Sequence, residues 1–233
     1  MMKKIDIGKN FVYVNENHTF GTDAVLLADF ASPKATDNIL DIGTGCGIIP
    51  ALILRDKPFL KVSAAEIQKE AFLLAKKSFD AQKLPVKLYN MDINKFEGVL
   101  QKSSFSLIIC NPPYKKAAGG LVSNNTARAT ARHELTLDLN SLARVSSLLL
   151  KPSGRLCICI RPERLCDVIK CFSNCNLAVK KIKAVAKNYL SEPKLLLIEA
   201  KKGAKSEVKI LKPLYLYTLG GEPTEEYKNI CRY

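Results

Sequence analysis

The sequence predicts an α/β fold, a seven-stranded, mostly parallel sheet with helices on both faces. Three observations carry this expectation. Short β-branched runs alternate with longer helical stretches along most of the chain, as they do where parallel strands are joined by helical crossovers. The first such run leads directly into Gly43-Thr44-Gly45-Cys46-Gly47 and then a helical stretch, a tight turn at which a ligand can approach the backbone. Finally, 233 residues with 47% hydrophobic and 25% charged side chains are enough for one full core, and exclude a disordered tail or a disulfide-stapled miniprotein.

The elements follow in order. After a short Val/Tyr-containing stretch at 11–14, the residues at 24–30 read as a helix. The first strand is expected at 38–42, and the helical 48–55 follows its glycine turn. A strand at 61–65 feeds a helix at 69–82, and strands at 86–90 and 105–110 come next. A helix at 139–149 is stopped at Lys151-Pro152-Ser153-Gly154, because proline lacks the amide donor a helix needs and glycine readily leaves it. Strands at 155–160, 179–185 and 195–200 complete the seven. With no internal repeat or low-complexity linker, residues 1–233 read as a single domain, an N-terminal extension (1–37) on a core (38–233).

Lys+Arg 36 against Asp+Glu 22 leaves a net charge of +14, an excess that favours contact with phosphate-rich polymers or anionic membrane. Between Lys180 and Lys212, ten lysines face only Glu192, Glu199 and Glu207. Those lysines either line solvated strand edges or track phosphates. The first ten residues lack the apolar stretch of a signal peptide, and no run approaches the roughly 20 apolar residues of a membrane span. A cytoplasmic location with no membrane partner is therefore expected, and no obligate protein partner is evident. Eight cysteines never pair as CxxC, and only two histidines accompany them. No metal site is expected, and the five cysteines from Cys157 to Cys175 read as buried or idle thiols.

The chemistry concentrates at strand ends. Asp41 precedes the glycines Gly43, Gly45 and Gly47 in a G-x-G-x-G turn, which is not the G-x-G-x-x-G of dinucleotide enzymes. It resembles motif I of S-adenosylmethionine methyltransferases, which implies S-adenosyl-L-methionine as cofactor, with the acid near its amino-acid end. Glu66 ends the second strand, where a carboxylate can accept both ribose hydroxyls. Asp92 follows the third strand, a position that by the same resemblance faces the adenine amino group; for both acids the plainer role is a turn or helix cap. The apolar run ending at Cys110 enters Asn111-Pro112-Pro113-Tyr114, where two prolines stiffen the chain. An Asn111 amide oxygen and a Pro112 carbonyl held at fixed positions suit an exocyclic amine: accepting its two hydrogens favours a pyramidal nitrogen able to attack a methyl group. Asn111, Pro112 and Tyr114 are thus the candidate catalytic residues, with Tyr114 offering a face on which the target base stacks.

This combination resembles the amino-methyltransferases that modify adenine N6, cytosine N4 or glutamine amides. Phe20-Gly21-Thr22-Asp23-Ala24-Val25-Leu26-Leu27, the motif I turn, the NPPY strand, Ala131-Arg132-His133-Glu134 and 193–200 narrow the likeness. Together they are similar to the bacterial tRNA(Val) adenine-N6 methyltransferase family. The resemblance implies a Rossmann-like class I methyltransferase fold, methylation of the adenine beside the anticodon, and an RNA partner, tRNA. It also implies that Gly21, Thr22, Asp23 and Asn111 lie against the cofactor and that the N-terminal extension packs nearby. Pro113, Tyr114, Lys115, Lys116, Arg128 and Arg132 are then candidates for substrate contact, with Lys102 close by. His133 reads as a structural or RNA-contacting residue, since the chemistry needs no dedicated base. Alternatives are a ribosomal RNA or protein-glutamine methyltransferase, a non-catalytic RNA-binding module and, more remotely, a nicotinamide-dependent dehydrogenase. Only 40 residues precede Asp41 and 119 follow Tyr114, which leaves little room for the substrate domains of the related enzymes.

Overall fold

The computed structural model describes residues 1–112 and 138–232. The chain opens with a hairpin, β1 (Lys3–Ile7) and β2 (Asn10–Val14), then α1 (Thr22–Ala31), β3 (Asn38–Ile42), α2 (Ile48–Asp56), β4 (Lys61–Glu66), α3 (Lys69–Gln82), β5 (Val86–Asn90) and β6 (Phe105–Cys110). It continues through α4 (Leu139–Leu149), β7 (Leu150–Ile160), α5 (Leu165–Asn174), β8 (Leu177–Ala186), β9 (Leu195–Lys202), β10 (Lys209–Ile210), β11 (Leu214–Tyr215) and α6 (Glu225–Ile230).

The central sheet runs β5-β4-β3-β6-β7-β9-β8-β10, with β11 also paired to β8. Among the described residues, β9 alone is antiparallel to both of its neighbours. After β3 the chain builds outward through β4 and β5, then returns to lay β6 on the other side of β3. That reversal splays the connections apart at the C-terminal ends of β3 and β6 and opens a crevice there. Successive residues of β3 and β6 enter opposite cores, Ile39, Leu107 and Ile109 on one face and Leu40, Ile42, Ile108 and Cys110 on the other. A parallel sheet covered on both faces requires this, and explains why apolar residues occur on both faces of these strands.

Three features differ from expectation. The sheet has nine strands among the described residues, the seven expected and the two-residue β10 and β11, which are too short to show a period of two. Strand β7 begins at Leu150, directly after α4, and not at Arg155. Leu150 pairs with Phe105 while Arg155 pairs with Leu107, so Lys151–Gly154 bulge outward with Ser153 at φ 62°; proline and glycine shape a bulge here, not a loop. Finally, residues 3–14 form a full hairpin, anchored side-on to α3. Ser78 Oγ accepts from the Tyr13 amide at 2.8 Å, and the Gln82 side chain both accepts from and donates to the Phe11 backbone at 2.7 Å. These bonds satisfy an edge that would otherwise present bare backbone groups.

Among the described residues, no helix is long and apolar enough to cross a membrane, and no cluster of His, Cys, Asp or Glu could hold a metal ion. Cys157 and Cys159 are buried in β7, Cys171 and Cys175 are half-buried, and Cys166 is exposed. Three lysines of the basic stretch are ion-paired, Lys180 with Glu207, Lys181 with Glu199 and Lys183 with Glu226; Lys102 pairs with Glu97.

Candidate active site

The glycine turn is built by β3 and braced by β4. The amides of Gly43 and Thr44 both donate to the Ala65 carbonyl, at 2.9 and 3.1 Å. Gly43 and Gly45 have φ of 71° and 58°, the left-handed region that glycine adopts without a Cβ penalty. A Cβ at either would project into open space, so both present bare backbone to the cavity. Gly47 differs. Its φ is 87°, and a Cβ there would lie 2.5 Å from Phe79 Cζ, so its lack of a side chain lets the start of α2 close onto α3.

Glu66, at the end of β4 and 5% exposed, accepts from the Gly45 amide through Oε2 and from the Gln68 amide through Oε1, both at 2.8 Å. Each oxygen of an ionised carboxylate can accept a second hydrogen bond, so bracing the turn is compatible with holding a ligand. Asp92 Oδ1 accepts from the Asn94 amide at 2.9 Å and caps the single turn Ile93–Lys95, while its residue also lines the cavity. At both acids the hydrogen bonds to backbone leave carboxylate lone pairs open toward the cavity.

Asp41 lies beneath the turn, 1% exposed, and neither oxygen accepts a hydrogen bond of good geometry among the described residues. Burial pushes its carboxyl up to about 7; the Thr44 hydroxyl close by pulls the other way, and the Glu66 charge adds to the rise. An orphaned buried acid of this kind is uncommon unless a partner completes it.

A cavity of about 280 Å³ lies at the crevice and brings together Gly43, Gly45, Glu66, Asp92, Asn111 and Pro112, four separate sequence segments. Gly21, Thr22, Asp23, Asp41 and Gly47 are not among its lining. Gly21 precedes α1, Thr22 and Asp23 open it, and of these Asp23 reaches the site indirectly, accepting at Oδ2 from Asn111 Nδ2 at 3.4 Å. Cys159 Sγ donates to Asn111 Oδ1 at 3.0 Å. Pro113, Tyr114, Lys115, Lys116, Arg128, Arg132 and His133 lie outside the described residues.

Two residues at the site escape sequence reasoning. His18 lines the cavity and its Nε2 stands 3.3 Å from Glu70; it sits in the irregular segment between the hairpin and the motif at 20–27, outside both. Cys159 sits in an apolar strand where its neighbours are also buried, and only the β6–β7 register brings it to Asn111.

The residues fit S-adenosylmethionine. Side-chain-free turn backbone, a strand-end carboxylate and a second acid converge on one cavity, and the orphaned Asp41 waits beneath. A family model described as the methyltransferase small domain matches residues 8–188. The chain is 38% identical over 138 residues to a tRNA1(Val) (adenine(37)-N6)-methyltransferase of Shewanella sediminis, covering 57% of this chain and 55% of that protein. It is 33% identical over 187 residues to the Porphyromonas gingivalis protein of the same name, covering 77% and 72%. The chain thus spans just over half of the first relative and about seven-tenths of the second. Among solved structures, a predicted O-methyltransferase, protein Atu636 from Agrobacterium tumefaciens, superposes with a TM-score of 0.74 at 20% identity, covering 90% of this chain and 95% of that one; at that identity the likeness concerns the fold alone. By these sequence matches, the chain belongs to the methyltransferase small domain family and to the bacterial tRNA1(Val) adenine-N6 methyltransferase family.

Proposed function

We propose that this protein transfers a methyl group from S-adenosylmethionine to the exocyclic N6 amine of an adenine in tRNA, the anticodon-loop adenine 37 named for its relatives. The observation that carries this reading is the convergence of Glu66, Asp92, Asn111 and Pro112 on one glycine-lined cavity. When bound, the cofactor supplies an electrophilic methyl on a cationic sulfur. Glu66 accepts the ribose hydroxyls, Asp92 faces the adenine amino group, and Gly43 and Gly45 let the turn backbone approach closely. Asp41, under the turn, lies toward the amino-acid end.

Asn111 Oδ1 and the Pro112 carbonyl accept the two hydrogens of the target amine. That draws its lone pair out of conjugation and aims it at the methyl carbon; as the carbon–nitrogen bond forms, the methyl–sulfur bond breaks with its electron pair left on the departing neutral thioether, and the surplus proton leaves to water. No covalent enzyme intermediate or general base is required, so catalysis rests on positioning and preorganised electrostatics. An anticodon-loop adenine is already poorly stacked, and drawing it out costs less than extraction from a duplex. Tyr114 offers the stacking face, and Pro113, Lys115, Lys116, Arg128 and Arg132 contact the RNA. Acting on tRNA, the protein works in the cytoplasm under this reading.

The test is incubation with labelled cofactor and, separately, total tRNA, ribosomal RNA and protein, followed by nucleoside mass spectrometry. N6-methyladenosine in tRNA alone is the expected outcome. Label in protein glutamine or ribosomal RNA would refute the substrate assignment.

A further inference from the structure

The second residue of α1 is positioned for a task other than cofactor contact. Asp23 lies outside the cavity lining, and its two oxygens point to different partners. Oδ1 accepts from the Ala24 amide at 3.0 Å, fixing the carboxylate at the helix N-terminus, where negative charge is favoured. Oδ2 faces Asn111 Nδ2 at 3.4 Å, a long contact of the kind that tightens when a site is loaded.

The consequence follows from chemistry. The two ends of a carboxamide are nearly the same size, but one only donates and the other only accepts. A carboxylate accepts only, so it can face the Nδ2 end and repels Oδ1. At the opposite end the Cys159 thiol donates to Oδ1 at 3.0 Å. The two neighbours therefore specify the same orientation of Asn111 from opposite sides. An amide oxygen accepts two hydrogen bonds, so the thiol does not exclude the target amine.

Gly21 belongs to the same arrangement. Its φ of −107° and ψ of 173° are open to any residue, so backbone conformation does not call for glycine. Clearance does: a Cβ at Gly21 would lie 2.5 Å from Asp23 Oδ1 and would push the carboxylate aside.

We propose that Asp23 is the positioning residue of the Asn111 carboxamide, holding its oxygen in the orientation that accepts the substrate amine, with Gly21 providing the space and Cys159 the second hold. This rests on the reading of Asn111 as the amine's acceptor, and it departs from the expectation that the Gly21-Thr22-Asp23 segment serves the cofactor directly.

Single-turnover methyl transfer to tRNA and calorimetric binding of S-adenosylmethionine are measured for Asp23→Ala, Asp23→Asn, Gly21→Ala and the double variant Gly21→Ala/Asp23→Ala, with Asn111→Ala as reference. Asp23→Ala is expected to slow transfer by roughly 10- to 100-fold, the scale of a slightly misplaced catalytic group, with cofactor affinity unchanged. Asp23→Asn, which keeps an acceptor oxygen, recovers most of the rate. Gly21→Ala slows the otherwise wild-type protein but has no further effect on Asp23→Ala, since neighbours acting through one another are non-additive. Cofactor affinity that falls in step with the rate makes Asp23 a cofactor ligand and overturns the proposal. So does an Asp23→Asn protein as slow as Asp23→Ala, or a Gly21→Ala effect of equal size in both backgrounds. If Asn111→Ala transfers at the wild-type rate, the underlying reading of Asn111 fails instead, and that result is separable from the others.

Discussion

Replacing Glu66 by glutamine tests whether one side chain both braces the glycine turn and holds the cofactor. The shapes match, but the carboxylate now accepts from two backbone amides, Gly45 through Oε2 and Gln68 through Oε1, each at 2.8 Å. A glutamine has one oxygen, so whichever way it turns, its NH2 faces one amide and leaves that donor unsatisfied. At 5% exposure, water cannot easily compensate, and an unsatisfied buried donor costs about 1–3 kcal/mol. For a domain of this size that corresponds to a fall in Tm of roughly 2–10 °C. Cofactor binding suffers separately: loss of a hydrogen bond to a charged acceptor removes about 1.5–3 kcal/mol, or roughly 10- to 150-fold in Kd. Thermal melting with and without S-adenosylmethionine, together with calorimetry, measures both. A variant with unchanged Tm and Kd would refute the dual role. A lowered Tm with unchanged Kd would confine Glu66 to structure.

Other perturbations separate packing, charge and chemistry. Gly47→Ala, strained at φ 87° and 2.5 Å from Phe79 Cζ, is expected to lower Tm while leaving the cofactor Kd intact in the folded protein; a selective loss of affinity would return Gly47 to the binding surface. Arg155 bridges Asp37 and Glu199 at 3.0 Å each, both acids being buried, so Arg155→Met leaves Asp37 without its cation and Glu199 with Lys181 alone, and should cost about 3 kcal/mol in urea unfolding; a cost below about 1 kcal/mol would place the pair among weak surface bridges. Despite burial, hydrogen bonds and the Arg155 guanidinium hold Asp37 below its ordinary 3.8, and Lys181 and Arg155 hold Glu199 below 4.5. Their stabilisation is therefore present above pH 4.5 and declines as pH falls through the folded values, and acid unfolding of the wild type that begins well above that range would contradict it. Asp41 has the opposite sign: with its carboxyl raised to about 7, its ionisation destabilises the fold as pH rises through 7. Asp41→Asn should therefore raise Tm relative to wild type more at pH 8.5 than at pH 5, and an equal difference at both values would remove the buried-charge reading.

Much of this site is written in local sequence. The Asp41-to-Gly47 turn and Glu66 lie at the ends of β3 and β4, whose buried runs mark them, and Asp92 follows the half-buried edge strand β5; ligands bind outside the carboxyl ends of such strands where the strand order reverses. NPPY is similarly local, because prolines stiffen their own neighbourhood. The helices at 69–82 and 139–149 also match their expected bounds, since amphipathic spacing and a flanking stop are short-range signals. The hairpin edge was less legible, because its partners Ser78 and Gln82 lie some 65 to 71 residues away.

Sequence alone determined the fold class, the succession of strands and helices along the chain and the candidate cofactor acids, because backbone conformation and burial pattern are encoded within a few residues. Tertiary structure alone decided which glycine faces the cavity and which faces Phe79, since all three have positive φ and only the approach of α3 distinguishes them. It likewise decided that Asp23 and Cys159 flank Asn111 from 88 and 48 residues away. A carboxamide's orientation is set by the donors and acceptors at its two ends, and those come from whichever strands and helices the packed sheet brings beside it.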